Sequence, residues 1–216
     1  MLIFDPASMQ GQTLAKVWEF FLIAAAIVAG VMFFLIVIPL LLWRRKNESL
    51  PPQFNTNRPM SLLYILTPCL LVVALFYVTF ASERSVDALV PSPSETIDVT
   101  GFRWSWRFQY PKAGITIIGT PQTPPTLVLP VGITSRINLS SSDVIHGFWI
   151  PRFLFKRDAI PGMTNRVDLT PTAIGVFRGV CSQFCGLDHT LMTFRVKVVS
   201  EADYRRWTAA KGAMVL

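Results

Sequence analysis

Two membrane-crossing helices followed by an all-β sandwich or barrel is the fold class this sequence predicts, and three observations predict it. Residues 20–43 and 60–81 form two long apolar stretches without a single charge. Beyond Glu83-Arg84 the composition changes to short runs rich in Val, Ile, Thr and Phe, separated by Pro and Gly. A hydrophobic content of 51% in 216 residues also argues against the alternative, two core helices of a soluble protein.

The first stretch would span about 36 Å as a helix, enough for a hydrocarbon core of ~30 Å. The second is slightly shorter. Each holds one proline, Pro39 and Pro68, which a membrane helix tolerates as a kink. Between them Arg44, Arg45, Lys46 and Arg58 face Glu48 alone, whereas Lys16 is the one base ahead of the first span. Positive-inside bias puts this linker in the cytoplasm or matrix and both termini outside. No short basic segment with a cleavage site precedes the first span, so no removable leader is expected. Residues 1–83 then form the helical hairpin, and Cys69 within it is a packing or lipid-facing residue.

Residues 84–216 read as the external domain. Strands are expected at 96–110, 115–119, 126–131, 136–140, 164–169, 175–180 and 194–199, with turns such as Pro121-Gln-Thr-Pro-Pro125 between them. Seven or more short strands suggest a two-sheet sandwich or barrel. Residues 201–211 read as a short amphipathic terminal helix.

Within this domain Cys181-Ser-Gln183-Phe-Cys185-Gly-Leu-Asp-His189-Thr-Leu-Met192 is a C-x3-C-x3-H-x2-M run. The other histidine, His146, lies in Asp143-Val-Ile-His146-Gly-Phe-Trp-Ile-Pro151. Thiolates, imidazoles and a thioether are soft or borderline ligands, the set that copper prefers over magnesium or calcium. His146 is expected on a separate loop at the same end of the sandwich, with Asp143 a candidate to orient its ring. The same residues admit a disulfide with packed neighbours, or a Cys2His2 zinc site that leaves Met192 unused.

The run from Cys181 to Met192 and the Asp-x-x-His-x-Phe-Trp-x-Pro setting resemble the binuclear copper A site of cytochrome c oxidase subunit II. So do Gly101-Phe-Arg-Trp104-Ser-Trp106 and Asp158-Ala-Ile-Pro161-Gly162, and the likeness covers nearly the whole chain. The resemblance implies a cupredoxin-like Greek-key domain. It implies one copper on His146 and Met192, the other on His189 and the backbone carbonyl of Gln183, and Cys181 and Cys185 bridging both. Trp104 matches the family's electron-entry tryptophan, and Trp106 is expected on the same side by strand alternation. The subunit would carry electrons from an external donor to a haem–copper subunit I, with subunit III as a further partner. Haem and the reduction of dioxygen to water belong to that partner. The setting is the bacterial or mitochondrial inner membrane, with the domain on the outer face.

Three departures from the family pattern bear on function. Position 183 is Gln where Glu is commoner, which keeps a backbone ligand but puts in doubt the magnesium that the glutamate helps hold. The second span begins Asn57-Arg-Pro-Met-Ser61, without the glutamate that many members place at a proton entrance. From Glu83 onward 15 Lys and Arg stand against 10 Asp and Glu, and Arg103, Arg107 and Lys112 neighbour Trp104 in sequence. Such a field favours an acidic or weakly charged donor over a basic one. A copper A-type nitric oxide reductase subunit and a membrane-anchored copper electron carrier share much of this signature. A quinol-oxidase subunit lacks the ligands, and the net charge of +7 comes without a basic motif for nucleic acid.

Overall fold

The computed structural model describes residues 5–43, 53 and 56–210. They divide into two compact units: Lys16–Arg84, and the residues up to Ala15 together with those from Ser85 onward.

The first unit is built on two helices, α1 (Met9–Leu42) and α2 (Arg58–Asp87), which contain both predicted spans and Pro39 and Pro68. Among its described residues none is buried. A helix apolar on every side needs either a large core or lipid around it, and Leu40, Val73 and Phe76 show no core here. Cys69 is exposed on α2. The basic cluster Arg44, Arg45 and Lys46, with Glu48, lies outside the described residues.

The second unit holds ten strands: β1 (Glu95–Phe102), β2 (Ser105–Tyr110), β3 (Ile115–Ile118), β4 (Thr126–Pro130), β5 (Ser135–Ser141), β6 (His146–Ile150), β7 (Phe155–Ala159), β8 (Asn165–Leu169), β9 (Gly175–Cys181) and β10 (Thr193–Val199). They form two five-stranded sheets, ordered β3-β2-β1-β5-β8 and β4-β10-β9-β6-β7. Alternation does the sorting: in β5 every second residue from Ser135 to Ser141 is buried, as a strand with one face on a core requires. Fully buried Trp106, Phe108, Phe148 and Phe194 lie at the heart of the core, where Phe148 stacks on Phe194 at 4.5 Å between centroids. A last helix, α3 (Glu201–Ala209), is capped by Ser200, whose Oγ accepts from Asp203 N. It buries Tyr204 and Trp207, the latter edge-on to Tyr110. The expected end at Lys211 lies outside the described residues.

Three expectations are corrected. The single strand over 96–110 is a hairpin, because the chain turns at Arg103-Trp104. Trp104 therefore sits in the turn, half-buried, while Trp106 on β2 is fully buried in the core, and the two do not share a side. Lys112 lies beyond the far end of β2, about 20 Å along the strand from Trp104, and its Nζ donates to Ser94 O.

The N-terminal residues belong with this domain rather than with the helices alone. Ala7 N donates to Arg152 O at 2.8 Å, Thr172 N to Ala7 O at 3.0 Å, and Ser8 pairs with Pro171. Ser8 Oγ donates to Phe153 O at 2.9 Å. Gly11 fits because a Cβ there would lie 2.4 Å from Phe153 O.

Candidate metal centre

The centre lies where β6, β9 and the Cys181–Met192 segment meet. Cys181 closes β9, pairing across to Phe148 of β6, and Met192 directly precedes β10. Thus hairpin geometry alone brings the first and last ligand types together: Cys181 N donates to Met192 O at 2.9 Å. His146 opens β6 rather than riding on a loop. Its ring faces the core edge, buried against Trp106.

The donor atoms converge on the two sulfurs. Cys181 Sγ and Cys185 Sγ are 3.8 Å apart and both thiols are free. Cys181 Sγ lies 3.9 Å from His146 Nδ1 and 3.3 Å from Gln183 O. Cys185 Sγ lies 3.4 Å from His189 Nδ1 and 3.7 Å from Met192 Sδ. One ligand atom from each of His146, Cys181 and Cys185 falls within 4.8 Å of the others. All six positions singled out in the sequence are therefore brought to one place.

Electrostatics favours a soft cation there. Burial raises the Cys181 thiol, but hydrogen bonds with His146 and with the backbone at Gln183 and Gly147 outweigh it and lower the pKa. Burial, and then the neighbouring Cys181 charge, push Cys185 up to about 12. Two thiolates this close repel each other unless positive charge lies between them, and a bound metal ion would supply it. Burial lowers His146, yet its bonds to Cys181 and Asp143 leave it raised. Burial also raises Asp143, but His146 and the amides of Arg103 and Val144 hold it at about 2. The cluster of Cys181, Cys185, His146 and Met192 fits a copper A site: nitrogen and sulfur donors, mostly buried, with a thioether that a zinc site would not use.

Close approaches that sequence reading missed make the cluster possible. A Cβ on Gly147 would lie 2.3 Å from Ser182 Oγ, and one on Gly101 would lie 2.9 Å from the His146 ring. A glycine inside a strand beside a ligand motif is the available signal for such contacts. Trp104 reaches the same segment: its Nε1 donates to Cys185 O at 3.2 Å, and its ring lies against Gly186. Asp143 Oδ1 is 2.8 Å from His146 Nε2, as an orienting group should be. Arg103 Nε is 3.6 Å from Asp143, and Arg107 donates to Thr100, so both bases beside Trp104 have partners.

Comparison with known proteins agrees with this geometry. Residues 118–199 match the family described as cytochrome c oxidase subunit II, periplasmic domain. A probable cytochrome c oxidase subunit 2 of Streptomyces avermitilis is 35% identical, over 85% of this chain and 70% of its own length. The cytochrome c oxidase subunit 2 of Mycobacterium bovis is 28% identical over 84% of this chain and 68% of its own. The crystal structure of the periplasmic domain of cytochrome oxidase subunit II from Bradyrhizobium japonicum superposes with a TM-score of 0.52. It shares 32% identity and covers 57% of this chain and 96% of that one. With two long apolar helices, a cupredoxin-like domain and a copper-type cluster between its strands, the chain belongs to the cytochrome c oxidase subunit II family.

Proposed function

We propose that this chain is the electron-entry subunit of a terminal haem–copper oxidase. It accepts electrons from an external donor at a binuclear copper A centre and passes them to a haem–copper subunit that reduces dioxygen to water. The observation that carries this reading is the convergence of two thiols, two imidazoles, a thioether and a carbonyl on one pair of sulfurs. Both of the chain's histidines belong to that cluster, so this subunit keeps none for acid–base work on oxygen.

His146 and Met192 would hold one copper, His189 and the Gln183 carbonyl the other, and Cys181 and Cys185 both. A copper pair bridged by two thiolates shares one unpaired electron and exchanges it with little bond rearrangement. The protein's part is to hold the donors in place: β9 and β10 fix Cys181 and Met192 by their pairing, and burial excludes water. Trp104, half-buried and hydrogen-bonded through Nε1 to Cys185 O, is suited to admit the electron. The donor is an acidic or weakly charged protein, and the partners are subunit I and subunit III. The amide of Gln183 offers magnesium no charge, so no magnesium is assigned here. Both termini lie outside the membrane, a topology supported by the hydrogen bonds that tie Ala7 and Ser8 to the domain.

The test is purification of the full-length chain in detergent with its co-expressed partner subunits, followed by metal analysis and paramagnetic resonance. The expected result is a pair of coppers per chain, a purple oxidised form with hyperfine structure from an electron shared by both nuclei, and haem in the partner. One copper per chain, or a mononuclear blue spectrum, defeats the copper reading. A copper-loaded chain that always emerges without haem is instead a stand-alone carrier.

A further inference from the structure

The contacts around the metal centre close into a ring. Asp143 Oδ1 meets His146 Nε2 at 2.8 Å, and the same imidazole turns Nδ1 toward Cys181 Sγ. Cys181 Sγ lies beside Cys185 Sγ. Cys185 O accepts from Trp104 Nε1 at 3.2 Å. Trp104 is covalently next to Arg103, whose backbone N donates to Asp143 Oδ2 at 2.7 Å. Each carboxylate oxygen of Asp143 thus serves a different partner, one on the ligand side and one on the tryptophan side.

We propose that Asp143 is a positioning residue that locks the His146 ring and the Arg103–Trp104 turn into one arrangement, so that the entry tryptophan and the copper ligands stay in register. The proposal rests on the copper reading above. An ionised carboxylate is acceptor-only, with lone pairs on both oxygens. Oδ1 takes the Nε2 proton of His146 and also accepts from Val144 N at 2.6 Å. That leaves Nδ1 with a free lone pair, the form in which imidazole binds a metal. Oδ2 is then free for the Arg103 amide. Asparagine has one acceptor and one donor at these places, so it cannot satisfy both sides. Arg103 contributes through its backbone, since its guanidinium stands off at 3.6 Å.

Asp143 could instead act only as surface charge that attracts or repels the donor, because its side chain is 24% exposed. The two roles separate experimentally. Wild type, Asp143→Asn, Asp143→Ala and Arg103→Ala are compared as full-length chains with partner subunits in detergent. Copper affinity is measured by chelator competition, the oxidised centre by paramagnetic resonance, and reduction by a soluble cytochrome at low and high salt. Both Asp143 variants should lose roughly 10–100-fold in copper affinity, as outer-shell partners of metal-bound histidines do. Their hyperfine pattern should change, and their reduction should be slowed by the same factor at both salt concentrations. Arg103→Ala, which keeps the backbone amide, should retain wild-type affinity and hyperfine pattern. Asp143→Asn preserves volume, so it decides the matter if the alanine variant does not accumulate. Asp143 variants with wild-type affinity and spectrum, slowed only at low salt, overturn the proposal and leave a charge effect. A wild-type chain that binds no copper pair fails at the earlier step, in the copper reading itself.

Discussion

At Gly147 the strand that carries His146 runs so close to the Cys181–Met192 segment that an added methyl meets the Ser182 backbone carbon at 2.9 Å. Gly147→Ala must push that segment outward, with an overpacking cost of ~1–3 kcal/mol. The expected outcome is reduced copper occupancy together with a lower unfolding temperature, read by metal analysis and thermal denaturation. Full occupancy would show that the segment yields freely. Cys185→Ser removes one of the two shared sulfurs and should abolish the binuclear resonance signal outright. Met192→Leu keeps volume and loses only the thioether, so copper should remain with a shifted reduction potential, checked by a redox titration. The ligand residues are legible in the sequence because five of the six fall within one run of twelve positions. The bond from Arg103 N to Asp143 is not, because 40 positions separate them.

Among the elements, β6 and β7 escaped the reading and the rest of the sandwich did not. β6 (His-Gly-Phe-Trp-Ile) is short and framed by Ser-Ser-Asp and Pro. β7 (Phe-Lys-Arg-Asp-Ala) carries three charges, which local propensity disfavours in a strand. Both exist because they pair with each other over five residues and β6 also pairs with β9. Tertiary pairing overrides propensity there, and sequence windows do not contain it. The hairpin between β1 and β2 is hidden in the sequence because the apolar alternation Phe102, Trp104, Trp106, Phe108 and Tyr110 runs through the turn, although β1 buries odd positions and β2 even ones. Long-range ties also anchor the segment that enters β1. Asp168 of β8, its side chain 2% exposed, accepts from Arg136 Nε and Nη2 at 2.8 and 2.9 Å and from Val90 N at 2.7 Å. Asp168→Ala leaves the Arg136 guanidinium with only its bond to Val90 O and the Val90 amide without an acceptor, which costs ~1–3 kcal/mol. Thermal denaturation should show a fall in Tm on the order of 10 °C; an unchanged Tm would mean that the pair only balances its own desolvation.

At the scale of the whole molecule, sidedness and donor choice follow from charge and from the N-terminal hydrogen bonds. With Ala7 and Ser8 hydrogen-bonded to the domain, a cysteine placed at Asp5 should react with an impermeant thiol reagent from the same side as one placed on the domain. A cysteine in 44–57 should react only after the membrane is opened. Labelling of the linker in sealed cells would reverse the proposed topology. Net charge and the pair Arg103 and Arg107 carry the preference for an acidic donor, since Lys112 lies at the other end of β2. Like charges raise the encounter free energy, and complementary ones speed association by roughly 10 to 10³-fold at low salt. Raising ionic strength to ~0.1 M, where the Debye length is ~10 Å, should slow reduction by an acidic donor. It should leave reduction by a basic cytochrome unchanged or faster. Stopped-flow reduction across a salt series decides, and fast reduction by a basic cytochrome that slows with salt would show an acidic docking patch.

The clasp between residues 7–9 and 170–172 also sets a timetable for making the protein. Ser8 and Phe153, which share a hydrogen bond, stand 145 positions apart, and contacts of such separation form slowly because the intervening chain must first be ordered. On a ribosome Ala7 and Ser8 are made well before their partners, which follow two long helices and six strands for Arg152 and Phe153, and eight strands for 170–172. Until then Ala7 and Ser8 lack the backbone partners that fix them to the domain. A chain whose synthesis stops before Arg152 therefore offers the Ala7–Ser8 segment none of these partners, and one that stops between Phe153 and Thr170 offers it only half of the clasp.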